Sequence, residues 1–275
     1  MKKGWKRFWI ICGTLFGVGV ILVLIAAVLG ASKTSVAESN VGQIIRNHIF
    51  SNRTYTVDDN SPVQASETQK YQGIRQLDVD VSAGTLEIRK TTDSEVSVGT
   101  SGLKNSFGFK QRQDGDTLEL SMRKKVSTRN NKAKIIVCLP ENLELQDVSL
   151  DVGAGILYIE DITTGKLDID MGAGQATVDQ FKAGELDVDC GTGEVTLSGE
   201  VETGADLECG TGQITYHAVG AEADYNYDVE SGIGDIMIGS TSISGLGKEK
   251  FINNDAYKTI AVSCGIGAVN IEFNN

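Results

Sequence analysis

Carboxylates recur at fixed intervals in the second half of the chain, and they are the residues best suited to chemistry. They form two rows, Asp151, Asp170, Asp189, Glu208 and Glu230 in one and Asp168, Asp187, Asp206 and Asp228 in the other. Such rows could bind Ca²⁺, which prefers oxygen ligands, or supply the acids of a glycan-active enzyme. Those enzymes surround their acids with non-repeated basic and aromatic residues, whereas these rows are uniformly acidic. The pattern favours a solvated face over a cation site or a catalytic centre.

Cysteines provide a second repeated feature. Cys190, Cys209 and Cys264 occupy the same alternating position, where free cysteine behaves as a small buried hydrophobe. A disulfide between Cys190 and Cys209 stays open as the alternative, although parallel in-register neighbours would strain it. Buried thiols are the favoured interpretation.

Glycine pairs and the histidines provide no further chemistry. Gly153-Ala-Gly155 lacks the third glycine and the following helix of a dinucleotide site, and Gly245-Leu-Gly247-Lys248 lacks the spacing and Ser/Thr of a P-loop. His48 and His217 have no nucleophile motif around them. The sequence therefore predicts no enzyme, no cofactor, and no catalytic, cofactor-binding or metal-binding residues.

The positions of the acids and cysteines follow from a repeat. Residues 167–178, 186–197 and 205–216 share an alternating strand, a Gly-x-Gly and a second alternating strand, and 77–88, 148–159, 227–238 and 260–271 fit the same template. Apolar side chains alternate with polar ones, as in a strand with one buried face. Glycine suits the bend between the two strands, where neighbouring backbones approach closely.

A unit of about 19 residues cannot bury its apolar face alone, so the units must stack. The sequence predicts an all-β, Gly-rich β-solenoid similar to a parallel β-helix, with units stacked in chain order. One predicted inward column is Val152, Met171, Cys190, Cys209, Ser231 and Cys264. A meander of hairpins that turn at Gly-x-Gly is the alternative. Residues 89–147 are less regular and are expected to cap the N-terminal end of the stack.

The N-terminus predicts a membrane anchor. Residues 8–31 contain no charged side chain and would span about 36 Å as a helix, enough for a bilayer. Basic residues precede this segment, so the positive-inside rule places residues 1–7 in the cytoplasm and the C-terminal domain outside. Residues 32–72 are polar and read as a linker or stalk, which leaves 73–275 as the extracytoplasmic β-repeat domain. A cleaved signal peptide is the alternative, but the apolar run is longer than an ordinary one.

The amino-acid composition excludes some classes of binding partner. The chain has 25 Lys and Arg against 37 Asp and Glu, with 2 His and 5 Cys. An acidic surface of this kind does not bind nucleic acid, and there is no material for a zinc finger. The bilayer, contacted through residues 8–31, and a protein or glycan at the cell surface are the expected partners.

The strand Ile135–Pro140, the repeated L-D-V-x-x-G-x-G-x-[VIL]-x-[VIL] units and the N-terminal apolar segment together resemble a known bacterial family. The resemblance is to the putative adhesin family of unknown function with β-strand repeats, and it covers about residues 73–275. It implies a structural or interaction module at the cell surface, with no catalytic residues to carry over. The alternatives are an envelope-stress or sensory accessory protein that acts through a membrane partner and, more remotely, a glycan-active enzyme.

Overall fold

The computed structural model describes residues 68–122, 133–244 and 246–274, and over these ranges the chain is all-β. Two short 3-10 helices, Asn105–Phe107 and Glu222–Asp224, are the helical elements of this part. The strands are β1 (Thr68–Tyr71), β2 (Gln76–Val81), β3 (Gly84–Thr91), β4 (Val96–Ser101), β5 (Lys110–Asp114), β6 (Thr117–Met122), β7 (Lys134–Pro140), β8 (Glu144–Ile159), β9 (Ile162–Cys190), β10 (Glu194–Cys209), β11 (Gln213–Val219), β12 (Tyr225–Ser231), β13 (Asp235–Ile238), β14 (Thr241–Ser244), β15 (Lys248–Ile252), β16 (Lys258–Cys264) and β17 (Ala268–Asn274).

Successive units pair in parallel and in register, with an offset of one repeat. Val148 of β8 lies beside Leu167 of β9, and Leu186 of β9 lies beside Ala205 of β10. The strands on either side of a Gly-x-Gly therefore pair with neighbouring units and not with each other. This register excludes the hairpin meander and gives a β-solenoid-like stack, as the repeat predicted.

The stack comprises ten rungs, each formed by the paired strand segments of one turn. From the N-terminal end they are β4 with β5, β6 with β7, β2 with β3, the four turns formed by β8, β9, β10 and β11, then β16 with β17, β12 with β13, and β14 with β15. β1 pairs with the outer side of β4. The chain order of the last units is thus not their spatial order.

The prediction of stacking in chain order was wrong at the C-terminal end. Cys209 lies beside Cys264, and Cys264 lies beside Ser231, so the column runs Cys209, Cys264, Ser231. The rung β16–β17 is inserted between β10–β11 and β12–β13. At the other end, the rung β2–β3 likewise lies between β6–β7 and β8. Both insertions satisfy the same pairing rule, because every unit presents the same alternation to its neighbours.

Alternate side chains fill the interior of the stack. Leu167, Ile169 and Met171 are completely buried, as are Leu186, Val188 and other members of the same columns. Each unit thus shares its apolar side chains with the units above and below it, and no unit has a core of its own.

Glycines are required where the backbones of successive turns approach most closely. Gly174 has a φ of +134°, and a Cβ at this position would overlap the carbonyl oxygen of Gly155. A Cβ on Gly193 would lie 2.6 Å from the carbonyl oxygen of Gly174. The second glycine of the corner therefore leaves no room for any side chain.

Antiparallel strands close both ends of the stack. β4 and β5 run antiparallel to β7 and β6, and β14 and β15 run antiparallel to β13 and β12. Charged residues such as Lys110, Arg112 and Lys250 lie on these outermost strands, as is usual for edges that must not pair with other chains. The cap predicted for 89–147 matches this arrangement at the N-terminal end.

The predicted cytoplasmic tail at 1–7 and membrane helix at 8–31 lie outside the described residues. Within the described ranges, no helix has the length and apolar character needed to cross a bilayer. Strand β1 lies inside the range 32–72 predicted as linker, so the folded part begins at Thr68 at the latest. The boundaries of the remaining predicted segments stay predictions.

Candidate functional site

The acidic rows lie on one outward surface, which is formed by the strands that precede each Gly-x-Gly and which we call the acidic face. Asp151 lies beside Asp170, and Asp189 lies beside Glu208. In the second row Asp187 lies beside Asp206. In-register pairing places these carboxylates about 5 Å apart from rung to rung.

The structure also shows where these rows begin and break. Asp80 extends the first row at the N-terminal end, beside Asp151. Ser263 separates Glu208 from Glu230, because the inserted rung carries serine at this position. Ala261 separates Asp206 from Asp228 for the same reason. The continuous rows predicted from the sequence are therefore interrupted by a neutral rung near the C-terminal end.

Partial burial, and then crowding, on the acidic face raises the pKa values of its carboxyl groups. The pKa values of five of them are raised above the ordinary range, first by partial burial and then by the neighbouring carboxylates. The five groups are Asp168, Asp170, Asp189, Asp206 and Glu208. Lys166 is the nearest cation, at 3.8 Å from Asp168, and it partly offsets the rise there.

We expect the acidic face to weaken the fold as it ionises. Acids with a raised folded-state pKa hold extra protons in the native state, so their contribution to the free energy of unfolding is most favourable below the ordinary carboxyl pKa. It decreases as the pH rises through the raised values. Asp189→Asn should therefore raise the melting temperature by a few degrees at pH 7, and this gain should vanish near pH 4. Thermal unfolding from pH 4 to pH 8 measures the difference between variant and wild type.

Glu144→Gln, at an exposed carboxylate outside the two rows, is the matched control and should change little. Added salt should reduce the gain from Asp189→Asn, because the repulsion is screened. A gain that stays constant from pH 4 to pH 8 would contradict the electrostatic explanation.

The carboxylates do not converge on a point. Within the described residues, no group of three or more His, Cys, Asp or Glu side chains has the geometry to hold a metal ion. Ca²⁺ and Na⁺ at matched ionic strength should therefore raise the melting temperature equally. The chemistry available to this face is that of an extended array of negative charge.

The cysteine column lies inside the stack as free thiols. Cys190, Cys209 and Cys264 are buried and unbonded, and their thiols form a hydrogen-bonded chain. The hydrogen bond with Cys209, together with burial, raises the pKa of Cys190 far above its usual value. The Cys209–Cys264 hydrogen bond, in contrast, lowers the pKa of Cys264. The structure thus has buried thiols and not the alternative Cys190–Cys209 disulfide.

A second repeated surface was not singled out from the sequence. Thr177, Thr196 and Thr215 follow one another on the strands after each Gly-x-Gly, and we call this surface the threonine face. Glu194 and Gln213 form part of the adjacent row. The signal was present as the recurring threonine two residues after the Gly-x-Gly-x of three successive units. The hydroxyl and amide groups, together with the Glu194 carboxylate, make this face a candidate for hydrogen bonding to an extended ligand.

Other residues considered from the sequence have structural roles. His217 lies on β11 with its Nδ1 3.1 Å from Glu272 of β17, and Ser198 of β10 is its neighbour on the other side. The glycines of Gly153-Ala-Gly155 form the corner within β8. Gly247, which belongs to the segment that was compared with a P-loop, donates its backbone N–H to the carbonyl oxygen of Gly232. This hydrogen bond places Gly247 in the C-terminal cap.

Comparison with known proteins identifies a family. The family model described as Toastrack DUF4097 matches residues 74–248. No curated protein matches the chain. Among solved structures, a protein from Clostridium sporogenes described as a "putative cell adhesion protein" is 15% identical, with 76% of this chain and 98% of that chain covered and a TM-score of 0.38. A "putative adhesin" from Bacteroides fragilis is 21% identical, with 74% and 96% covered and a TM-score of 0.43.

Proposed function

The chain belongs to the Toastrack DUF4097 family, and from this premise we propose that it is a membrane-anchored cell-surface module that binds a protein or glycan partner without catalysing a reaction. The proposal places residues 1–7 in the cytoplasm, 8–31 in the membrane and the β-repeat domain outside. The observation that carries it is the pair of outward faces on which similar side chains recur over several successive turns.

Repetition supports binding better than catalysis. A catalytic centre needs different groups that converge on one reacting atom, whereas successive turns here offer equivalent groups about 5 Å apart. An extended partner can contact several turns at once and gain affinity from many weak, similar contacts. The acidic face suits a partner with positive charge, and the threonine face suits one rich in hydrogen-bonding groups.

The charge of the β-repeat domain is compatible with a soluble domain held next to a membrane. Once residues 1–32 are set aside, 21 basic and 37 acidic residues remain. A domain with this net negative charge stays soluble and is repelled from anionic lipid along its acidic sides. It would therefore stand away from the membrane over most of its surface.

Cells that display the full chain should adhere to a partner-bearing surface, and adhesion should depend on one of the two faces. Two triple variants test this: Asp170→Asn, Asp189→Asn and Glu208→Gln on the acidic face, and Thr177, Thr196 and Thr215 to Ala on the threonine face. We expect one triple variant to lose about tenfold or more of the adhesion and the other to retain it. Because the triplets occupy the same three turns, each is the matched control of the other.

Retention of cells on glycan-coated and protein-coated surfaces is the measurement, and an epitope after Asn275 reports surface display in intact cells. Display equal to wild type with unchanged adhesion in both variants would contradict binding through these faces. An epitope that is reached only after the cells are opened would contradict the proposed location.

A further inference from the structure

Exposed large apolar side chains are confined to one end of the stack. Within the described ranges they lie between residues 219 and 266, on the last four rungs and their connections: Val219, Ile233, Met237, Leu246, Phe251, Tyr257 and Ile266. The residue between the two corner glycines is Ala or Thr at 154, 173, 192 and 211, but isoleucine at 233 and 266. The corner therefore changes from small or polar to apolar where the stack ends.

The apolar residues of this corner are neighbours in a fixed backbone. Ile233 donates its N–H to the carbonyl oxygen of Gly265, and Gly247 donates its N–H to the carbonyl oxygen of Gly232, at 2.7 and 2.8 Å. These bonds bring Ile233, Ile266 and Leu246 to one corner, where 53%, 57% and 80% of each residue is exposed.

Two aromatic side chains extend this apolar end along the side of the stack. Phe251 is exposed on β15, and Tyr257 is 85% exposed at the end of the loop that follows. The loop is held in place, because the Asn226 side chain accepts hydrogen bonds from the backbone N–H groups of Asn254 and Ala256. Exposed Phe and Tyr on a fixed backbone are typical of groups that insert at a water–lipid interface.

Lysines lie on the terminal surface of the stack itself. Lys248 and Lys250 pair with Ser231 and Val229, whose side chains are buried inside the solenoid. Side chains in this inward register on the last rung lie over the end of the core, and both lysines are exposed there. A second copy docked end to end would bring lysines against lysines, which disfavours self-association. Anionic headgroups complement them.

We propose that the C-terminal end of the stack docks onto the anionic lipid surface of the membrane that holds the chain, with Ile233, Leu246, Ile266 and Phe251 inserted at the interface and Lys248 and Lys250 against the headgroups. This inference rests on the proposed membrane anchor. Apolar contact together with positive charge gives the two signals that stable association with a membrane surface requires.

The chain between anchor and domain is long enough for this contact. Residues 32–67 number 36 and reach at most about 120 Å when extended. Ten rungs about 4.8 Å apart form a stack about 45 Å long. A linker of this length does not prevent the far end of the stack from reaching the same bilayer.

Single-tryptophan variants of the full chain test the docking. The chain has two tryptophans, so Trp5→Phe and Trp9→Phe leave none, and Leu246→Trp then reports on the corner. Thr192→Trp in the same background is the matched control, because it lies at the equivalent corner position in the middle of the stack. Each chain is reconstituted into vesicles of phosphatidylcholine and phosphatidylglycerol, with and without brominated acyl chains, which quench nearby tryptophan.

We expect the tryptophan at 246 to emit at shorter wavelength and to be quenched by bromolipid, while that at 192 emits as in water and is not quenched. Adding Lys248→Gln and Lys250→Gln should lower the ratio of docked to undocked protein by roughly thirtyfold. Resistance of the chain to alkaline extraction from the vesicles tests the anchor separately.

Equal, water-like emission at 246 and 192 in a chain that resists extraction would overturn the docking and leave the anchor intact. Release of the chain by alkali would overturn the anchor instead. A blue-shifted tryptophan at 246 that bromolipid does not quench, in a chain that cross-links to a second copy, would also overturn the docking and identify self-association.

Discussion

Removing residues 174–183 is expected to unfold the β-repeat domain, whereas removing residues 174–192 leaves it folded. The longer deletion takes out one complete 19-residue turn and joins Ala173 to Gly193, so the Gly-x-Gly corner is restored and the flanking turns can pair in register. The shorter one leaves about half a turn, which cannot close around the core.

The two deletions can be compared by circular dichroism and thermal unfolding. We expect loss of one turn to cost about 3 kcal/mol, or a fall in melting temperature of about 10 °C. The ten-residue deletion should show no cooperative transition. If the 19-residue deletion unfolds the domain as completely as the shorter one, the turns are not equivalent neighbours and the stacking account fails.

Gly174→Ala is expected to be among the most damaging of the conservative substitutions in the domain. The added methyl would overlap the carbonyl oxygen of Gly155, and backbone on the adjacent turn cannot move aside as a flexible side chain can. The positive φ at this glycine adds strain of its own. The free energy of unfolding should fall by about 4 kcal/mol, measured by chemical denaturation.

Two controls separate the causes of this loss. Gly115→Ala places a methyl on a glycine with φ of +63° but with no atom within 4 Å of the added carbon, so it reports backbone strain alone. We expect a loss of about 1 kcal/mol there. Ala173→Ser changes the exposed residue of the same corner and should be nearly neutral. Equal losses in Gly174→Ala and Gly115→Ala would show that crowding between turns is not the cause.

Local sequence predicted the turn of the solenoid well. Alternation around Gly172-Ala-Gly174 determined which side chains face inward, because a strand has a period of two residues. The need for glycine at the bend followed from close backbone approach. The buried thiols of the cysteine column followed from the same alternation, since a residue's face is a local property.

The order of the turns could not be read in this way. Leu207 pairs with Val262 in the structure, but its unit would present the same alternation to the unit that contains Val229. The alternating pattern predicts that each unit stacks on another unit, but it does not predict which unit that is. The spatial order of the turns depends on the segments that connect them. After β13 the chain forms β14 and β15 at the end of the stack, and then β16 pairs with β10.

The candidate surfaces could be predicted from the sequence only in part, because they also depend on the spatial order of the turns. The carboxylates were found because nine of them recur in two rows, but their interruption by Ser263 and Ala261 depends on the inserted rung. The apolar end depends on which turns are last in space. Ile233 and Ile266 are 33 residues apart in the chain, and only the folded order makes them neighbours.

The inserted rung also bears on how the domain is completed as it is made. Synthesis delivers β12 and β13 before β16 and β17, yet the later pair belongs between the earlier one and β10–β11. Assembly therefore cannot proceed as simple addition of turns to a growing end. Until β16 and β17 have been made, two surfaces with matching hydrogen-bonding patterns must either remain apart or pair temporarily and separate again. The stack can therefore reach its final order only after these two strands have been inserted between the turns made before them.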